Sequence, residues 1–208
     1  MKKRTAVIGV LVSLLPMGQP LVIGGGAALT SAALILSVPE KAKAESAAFY
    51  FNRGIEKYDS GDYYGAISDY NRVIKEYPNH PKIHEAYYNR GLAKGELEDF
   101  EGAIADYSKA IEINPTDPDA YNNRGVAKRK IGDNYGAISD YNKAIEIKPR
   151  YAEAYYNRGF AKGELEDFEG AISDYSRAIG INPKYAKAYV NRGNSKDELK
   201  DFEGAISD

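Results

Sequence analysis

Few side chains in this 208-residue chain could do chemistry, and their spacing argues against catalysis. His80 and His84 are the two histidines, and at that spacing they could share one helix face. Pro81 stands between them, however, and no glutamate completes a His-Glu-x-x-His zinc motif. The absence of cysteine removes thiolate metal sites and any disulfide framework. A Ser–His–Asp set would have to borrow the same two histidines. Glu96, Glu98, Asp99 and Glu101 fall in turn and helix-start sequence, where carboxylates suit the positive end of a helix, and they read as an ordinary solvated face. Gly24-Gly25-Gly26 lies inside an apolar stretch and not in a phosphate loop. The expectation is a non-enzyme with no metal and no cofactor.

One charge pattern does recur. Arg53, Arg90, Arg124, Arg158 and Arg192 are each followed sixteen residues later by an aspartate: Asp69, Asp106, Asp140, Asp174 and Asp208. A planar guanidinium fork suits a half-buried carboxylate. The arginines could instead grip an acidic ligand. Buried charges are usually paired internally, so the reading is a structural ladder with one rung per repeated unit.

That unit is written five times. Asn-Arg-Gly stands at 52–54, 89–91, 123–125, 157–159 and 191–193, the first interval being 37 residues and the other three 34. Eleven residues after each of these glycines, Gly65, Gly102, Gly136, Gly170 and Gly204 open Gly-Ala-Ile. A fixed period of this length marks a repeat array. Within 152–185, Ala154, Tyr155, Arg158, Ala161 and Leu165 recur at helical spacing, as do Ala171, Ile172, Tyr175, Ala178 and Ile179. Glu166-Asp167 separates the two runs, and Pro183, which cannot continue a helix interior, ends the second. Each unit is therefore predicted to be two antiparallel helices that bury their apolar faces only by stacking on neighbours. Gly91, Gly125 and Gly159, matched with Ala103, Ala137 and Ala171, are expected where backbones approach closely. The third unit has Asn134 where the others place Tyr63, Phe100, Phe168 or Phe202, with Tyr135 as the expected substitute. Tyr77 to His84 carries three extra residues, which predicts a wider loop or a change of pitch.

The amino end has a different composition. Lys2, Lys3 and Arg4 precede an apolar run from Thr5 to Leu15 and a second from Leu21 to Val38. Ala42-Lys43-Ala44 then has the small-x-small form of a signal-peptidase site. Residues 1–44 thus read as a signal peptide cleaved after Ala44, with Ala42 and Ala44 as the small residues of the site, or as an uncleaved membrane anchor, since the second run approaches bilayer length. Either places residues 45–208 on the far side of a membrane, with membrane contact through residues 1–44 alone. Removing residues 1–44 takes away five basic residues and one acidic one, so formal charge moves from −2 to −6. A mildly acidic array has no footprint for nucleic acid and favours neutral or basic partners.

The unit resembles the tetratricopeptide repeat, a helix-turn-helix whose pattern runs aromatic-x2-Leu-Gly-x2-Tyr, then Ala-x3-Phe, then Pro. Tyr50, Gly54, Ala66, Tyr70 and Pro78 match it in the first unit; Tyr87, Gly91, Ala103, Tyr107 and Pro115 in the second. Tyr121, Gly125, Ala137, Tyr141 and Pro149 match in the third, and Tyr155, Gly159, Ala171, Tyr175 and Pro183 in the fourth. Two positions depart throughout: the pattern's Leu is the arginine above, and its Tyr is Lys57, Lys94, Lys128, Lys162 or Lys196. The resemblance implies an all-α, right-handed solenoid of about 4.5 units, near 47–80, 84–117, 118–151, 152–185 and an incomplete 186–208.

It also implies a concave groove lined by the first helix of each pair. Its lining would be Phe51, Ile55 and Tyr58; Glu85, Tyr88 and Leu92; Asp119, Asn122, Val126 and Arg129; Glu153, Tyr156 and Phe160; and Lys187, Val190 and Asn194. The bland alternative is that several of these pack against the neighbouring repeat. Relatives that grip a terminal carboxylate use Lys and Asn on this face, and Phe51 and Ile55 in those places disfavour that mode here. Asp208 falls midway through a second helix, which reads as a fragment of a longer array or a fraying half-unit. The function expected is a scaffold binding a peptide or helix of a partner protein, with Tyr88, Tyr156 and Phe160 as anchors. The alternative is a self-associating or membrane-tethered spacer. The Asn-Arg-Gly and Gly-Ala-Ile-Ser-Asp blocks also look like repeats common in photosynthetic bacteria, so a periplasm and a thylakoid lumen both fit.

Overall fold

A computed structural model describes residues 40–208, with side chains from Ser46 onward. The apolar runs read as an export segment lie outside the described residues; Ala42 and Ala44 fall in the opening turns of the first helix. Among the described residues there are ten helices and no strand. They pair as α1 Glu40–Asp59 with α2 Tyr63–Glu76, α3 Ile83–Glu96 with α4 Phe100–Ile113, α5 Pro118–Lys130 with α6 Asn134–Ile147, α7 Ala152–Glu164 with α8 Phe168–Ile181, and α9 Ala186–Glu198 with α10 Phe202–Ile206. Each helix packs on the next in sequence, so the core is a succession of small interfaces and not one centre.

The turn inside each pair has a single chemical device. Asp62, Asp99, Asp133, Asp167 and Asp201 each cap a second helix by accepting from the amide of the glycine three residues on. This explains the Gly-Ala-Ile glycines, because a Cβ on Gly65 would lie 2.0 Å from the Asp62 carboxylate. Asp99 is thus both exposed to solvent, as expected, and the cap of α4. Just before the cap the chain turns left-handed. Gly61 and Gly132 take that position in the first and third repeats, and Glu98, Glu166 and Lys200 take it in the others.

The glycines of Asn-Arg-Gly make room chiefly for a side chain. A Cβ on Gly54, Gly91 or Gly125 would come within 2.8 Å of the ring of Tyr70, Tyr107 or Tyr141, the buried tyrosine of the paired helix. At Gly159 the Ala171 carbonyl joins the Tyr175 ring, at 3.2 Å. In the third repeat Tyr135 does not stand in for the missing aromatic: it is 77% exposed, as Tyr64 is in the first repeat, and Asn134 occupies the inward place. The connection from α2 to α3 spans residues 77–82, wider than the four-residue links at 114–117, 148–151 and 182–185.

Successive first helices touch one another, α1 to α3, α3 to α5, α5 to α7 and α7 to α9, whereas successive second helices do not. The array therefore curves toward its first helices, and these form the inner face.

Candidate protein-interaction surface

Every arginine of the pattern meets its aspartate. Arg124 donates from Nε and Nη2 to the two oxygens of Asp140, at 2.9 and 2.6 Å. Arg53 and Asp69, Arg90 and Asp106, and Arg158 and Asp174 repeat this bidentate geometry, and Arg192 joins Asp208 in the same way. The lysine four residues after each arginine completes a triad: Lys57, Lys94, Lys128 and Lys162 each lie 2.9 Å from the same carboxylate. Thus the two departures from the family pattern serve one buried anion. Bonding from Arg53 holds the Asp69 carboxyl below the usual carboxylate range against its desolvation, and Arg192 does the same for Asp208.

From the second repeat on, each arginine also reaches backward. Its Nη1 donates to Asn71 from Arg90, Ser108 from Arg124, Asn142 from Arg158 and Ser176 from Arg192, all in the preceding repeat. In all five repeats the guanidinium lies over the ring of the tyrosine three residues earlier, at 5.3–5.5 Å, for Tyr50, Tyr87, Tyr121, Tyr155 and Tyr189. These groups are committed to one another and leave no free row of cations for an acidic ligand.

On the inner face, the residues expected to line a groove divide into two sets. Phe51 and Asn122 are corrections. Phe51 is 6% exposed and packs edge-on against Tyr70, and Asn122 is fully buried, accepting from Asn157 Nδ2 at 3.0 Å. Tyr88 and Tyr156 are half-buried, and their hydroxyls accept from Asn123 and Asn191 of the following repeat. Tyr156 also stacks among Tyr175 and Tyr185, so its ring is a strut between repeats. Ile55, Leu92, Val126 and Phe160 form a row, one per first helix, from half-buried to exposed; Val190 is 62% exposed and Asn194 is exposed.

Two clefts open beside that row. One, of about 370 Å³, is lined by Leu92, Gly95, Glu96, Phe100, Tyr107, Val126 and Lys130, among others. The other, of about 230 Å³, is lined by Phe160, Gly163, Glu164, Phe168, Tyr175, Asn194 and Glu198, among others. Lining residues correspond at a constant offset of 68, which is two repeats. Glycine in a helix costs about 1 kcal/mol against alanine. Yet Gly95 and Gly163 have ordinary helical backbone, and a Cβ on either would touch nothing within 4 Å. A signal for these clefts stands in the sequence: Gly-Glu-Leu-Glu-Asp-Phe-Glu-Gly-Ala-Ile occurs at 95–104 and again unchanged at 163–172.

His80 sits in the α2–α3 loop, with its Nδ1 accepting from the Lys82 amide, and His84 lies in the first turn of α3. Among the described residues no group of three or more His, Asp and Glu could hold a metal ion, and no helix is long and apolar enough to cross a membrane.

Family models bear directly on this architecture. A TPR-repeat model matches residues 96–132 and 127–166, and two tetratricopeptide-repeat models match 152–185 and 47–80. This chain is built from tetratricopeptide repeats. Its helix-pair stacking agrees, an all-α right-handed solenoid. No curated protein matches the chain. Among solved structures, the crystal structure of MamA protein is 28% identical with a TM-score of 0.72, covering 78% of this chain and 87% of that one. MamA from Desulfovibrio magneticus RS-1 is 22% identical, with a TM-score of 0.71 over 78% of this chain and 90% of that one. YrrB, described as a TPR protein with an unusual peptide-binding site, is 20% identical, with a TM-score of 0.67 over 81% of this chain and 84% of that one. The last two likenesses concern fold alone.

Proposed function

We propose that this tetratricopeptide array is an interaction scaffold holding a peptide or helix of a partner protein along its inner face. Tetratricopeptide repeats are in general protein-binding scaffolds. The observation that carries the reading is the row Ile55, Leu92, Val126 and Phe160: one apolar side chain on the first helix of each of the first four repeats, aligned along the inner face and incompletely covered. Such a surface suits alternate side chains of a bound segment.

The test is selection of peptides displayed on phage against the full chain, followed by variants. Ile55→Asp combined with Phe160→Asp removes binding by tenfold or more, while Tyr64→Asp with Tyr135→Asp, on the second-helix side, leaves it unchanged. Equal binding by both pairs refutes an inner-face site.

The array acts on the outer side of a membrane, in a bacterial periplasm or thylakoid lumen. Support comes from Lys2, Lys3 and Arg4, the apolar runs behind them and Ala42-Lys43-Ala44. The intact mass in separated soluble and membrane fractions decides the mode. A soluble species several kDa below 22.9 kDa indicates cleavage, and the full mass in membranes indicates an anchor. The full mass in the soluble fraction removes the export reading.

A further inference from the structure

We propose that the clefts beside Gly95 and Gly163 are paired anchor sites for one extended segment of a partner, the first taking an apolar side chain and the second a basic one. This rests on the inner face being the binding face and specifies what it binds.

The glycines are the starting point. Neither has a left-handed backbone, and neither is crowded. The left-handed position three residues later, where glycine relieves strain, is Glu98 or Glu166 in these repeats. The first and third repeats do the reverse. They place Gly61 and Gly132 at the left-handed position and fill the cleft position with Tyr58 and Arg129. Tyr58 packs on Tyr63 with ring centroids 5.4 Å apart, and Arg129 lies 4.6 Å over the Phe160 ring while bonding Glu164. Hence the second and fourth repeats keep a strained turn and an unneeded glycine together, and the result is open space with an aromatic floor. Open space of this kind serves something outside the chain.

The chemistry of the two clefts differs where their sequences differ. Val126, Ala127 and Lys130 of the first become Asn194, Ser195 and Glu198 in the second. The first cleft sets Leu92, Phe100, Val126 and Ala127 beside charges of both signs, Glu96, Glu98 and Lys130. The second has Glu164 and Glu198 at its mouth and Phe160 and Tyr175 within; Arg129 bonds Glu164, whereas Glu198 makes no ion pair among the described residues. A long aliphatic stem ending in a cation fits that combination, burying its stem against rings and presenting its charge to Glu198. The net charge of −6 over residues 45–208 favours the same class of partner.

Spacing follows from the helices. Packed helices lie 8–10 Å apart, so clefts two first helices apart are separated by roughly 20 Å. Extended chain covers that distance in about six residues.

The experiment uses the full chain and fluorescein-labelled peptides in a Ser/Gly/Thr background, carrying one Leu and one Arg separated by two to ten residues in both orders. Matching sets replace Arg with Glu or with Leu. Anisotropy is expected to show tightest binding for Leu and Arg near six residues apart in one chain order. Gly95→Tyr and Gly163→Tyr borrow the residue at Tyr58, enter open space, and each weaken that peptide tenfold or more. Glu198→Lys, on an exposed rim, reverses the preference for Arg over Glu without altering the fold. No binding at any spacing, no dependence on spacing, or unchanged binding in the Gly→Tyr double variant each overturns the proposal. So does an unchanged Arg preference in Glu198→Lys. If displayed peptides still depend on Ile55 and Phe160 while these variants have no effect, the inner-face reading stands and the paired anchors fall.

Discussion

Asp140 lies at the centre of the most exposed test of the packing argument. Its carboxylate accepts two bonds from Arg124 and sits 2.9 Å from Lys128, and its side chain is 6% exposed. Removing one partner of a fully buried pair costs about 3–5 kcal/mol. Arg124 and Lys128 retain 18% and 22% exposure and can partly rehydrate, so Asp140→Ala is expected at the lower end, about 3 kcal/mol. Arg124→Ala leaves the carboxylate with Lys128 and removes one bond to Ser108, whose hydroxyl still donates to the Ile104 carbonyl, so about 2 kcal/mol is expected. The double variant removes the uncompensated charge as well as the bond. It should cost well under the sum, giving a coupling of about 1–2 kcal/mol. Urea unfolding followed by circular dichroism on all four proteins measures this directly. A coupling within error of zero refutes the ladder as an energetic unit, whatever its geometry. Lys128→Ala in the Asp140→Ala background is the internal check, since the lysine then has no anion to lose.

Three further outcomes follow from contacts described above. Gly125→Ala places a methyl 2.7 Å from the Tyr141 ring and should destabilise despite better helix propensity, whereas Gly95→Ala meets open space and should stabilise by up to about 1 kcal/mol; thermal melts of the two give opposite signs. Asp167→Ala removes the side-chain acceptor for the Gly170 amide and should cost about 1 kcal/mol, with faster amide exchange confined to the first turn of α8. The Asp69 carboxyl titrates below its unfolded value, so the unfolded chain takes up the proton first. Its stabilisation is complete above the ordinary carboxylate value of about 3.9 and is lost as pH falls through and below that range. Tm measured from pH 7 to pH 3 should fall less steeply at the acid end for Asp69→Asn than for the parent chain.

The helix pairs were legible because apolar periodicity, the Asn-Arg-Gly period and the prolines all mark the same boundaries. The pairing of Arg124 with Asp140 was legible because a helix-turn-helix brings positions sixteen apart face to face in every unit. Phe51 and Asn122 show where such reading fails. Their position on the first helix points between the groove and the neighbouring second helix, and the side chains around it decide which. Phe51 folds onto Tyr70, and Asn122 finds Asn157. Tyr135 fails as a substitute for a related reason: adjacency in sequence does not transfer on a helix, where the next residue points about 100° away. The two clefts are hard to read from sequence because they are made by what glycine lacks, and matching repeated side chains passes over an omission.

The backward reach of each guanidinium has a mechanical consequence. Within a repeat the arginine is held by two charge-assisted bonds, but across the joint to the preceding repeat it offers a single bond to a neutral Asn or Ser. Under a bending load the joints are therefore the compliant members and the helix pairs the rigid ones. Flexing shifts that bond together with the few neutral bonds that also cross the joints, Tyr88 with Asn123, Asn122 with Asn157 and Tyr156 with Asn191, while the charge-assisted forks inside each pair hold. The array behaves as a leaf spring, whose curvature can open or tighten along its length while every leaf keeps its form.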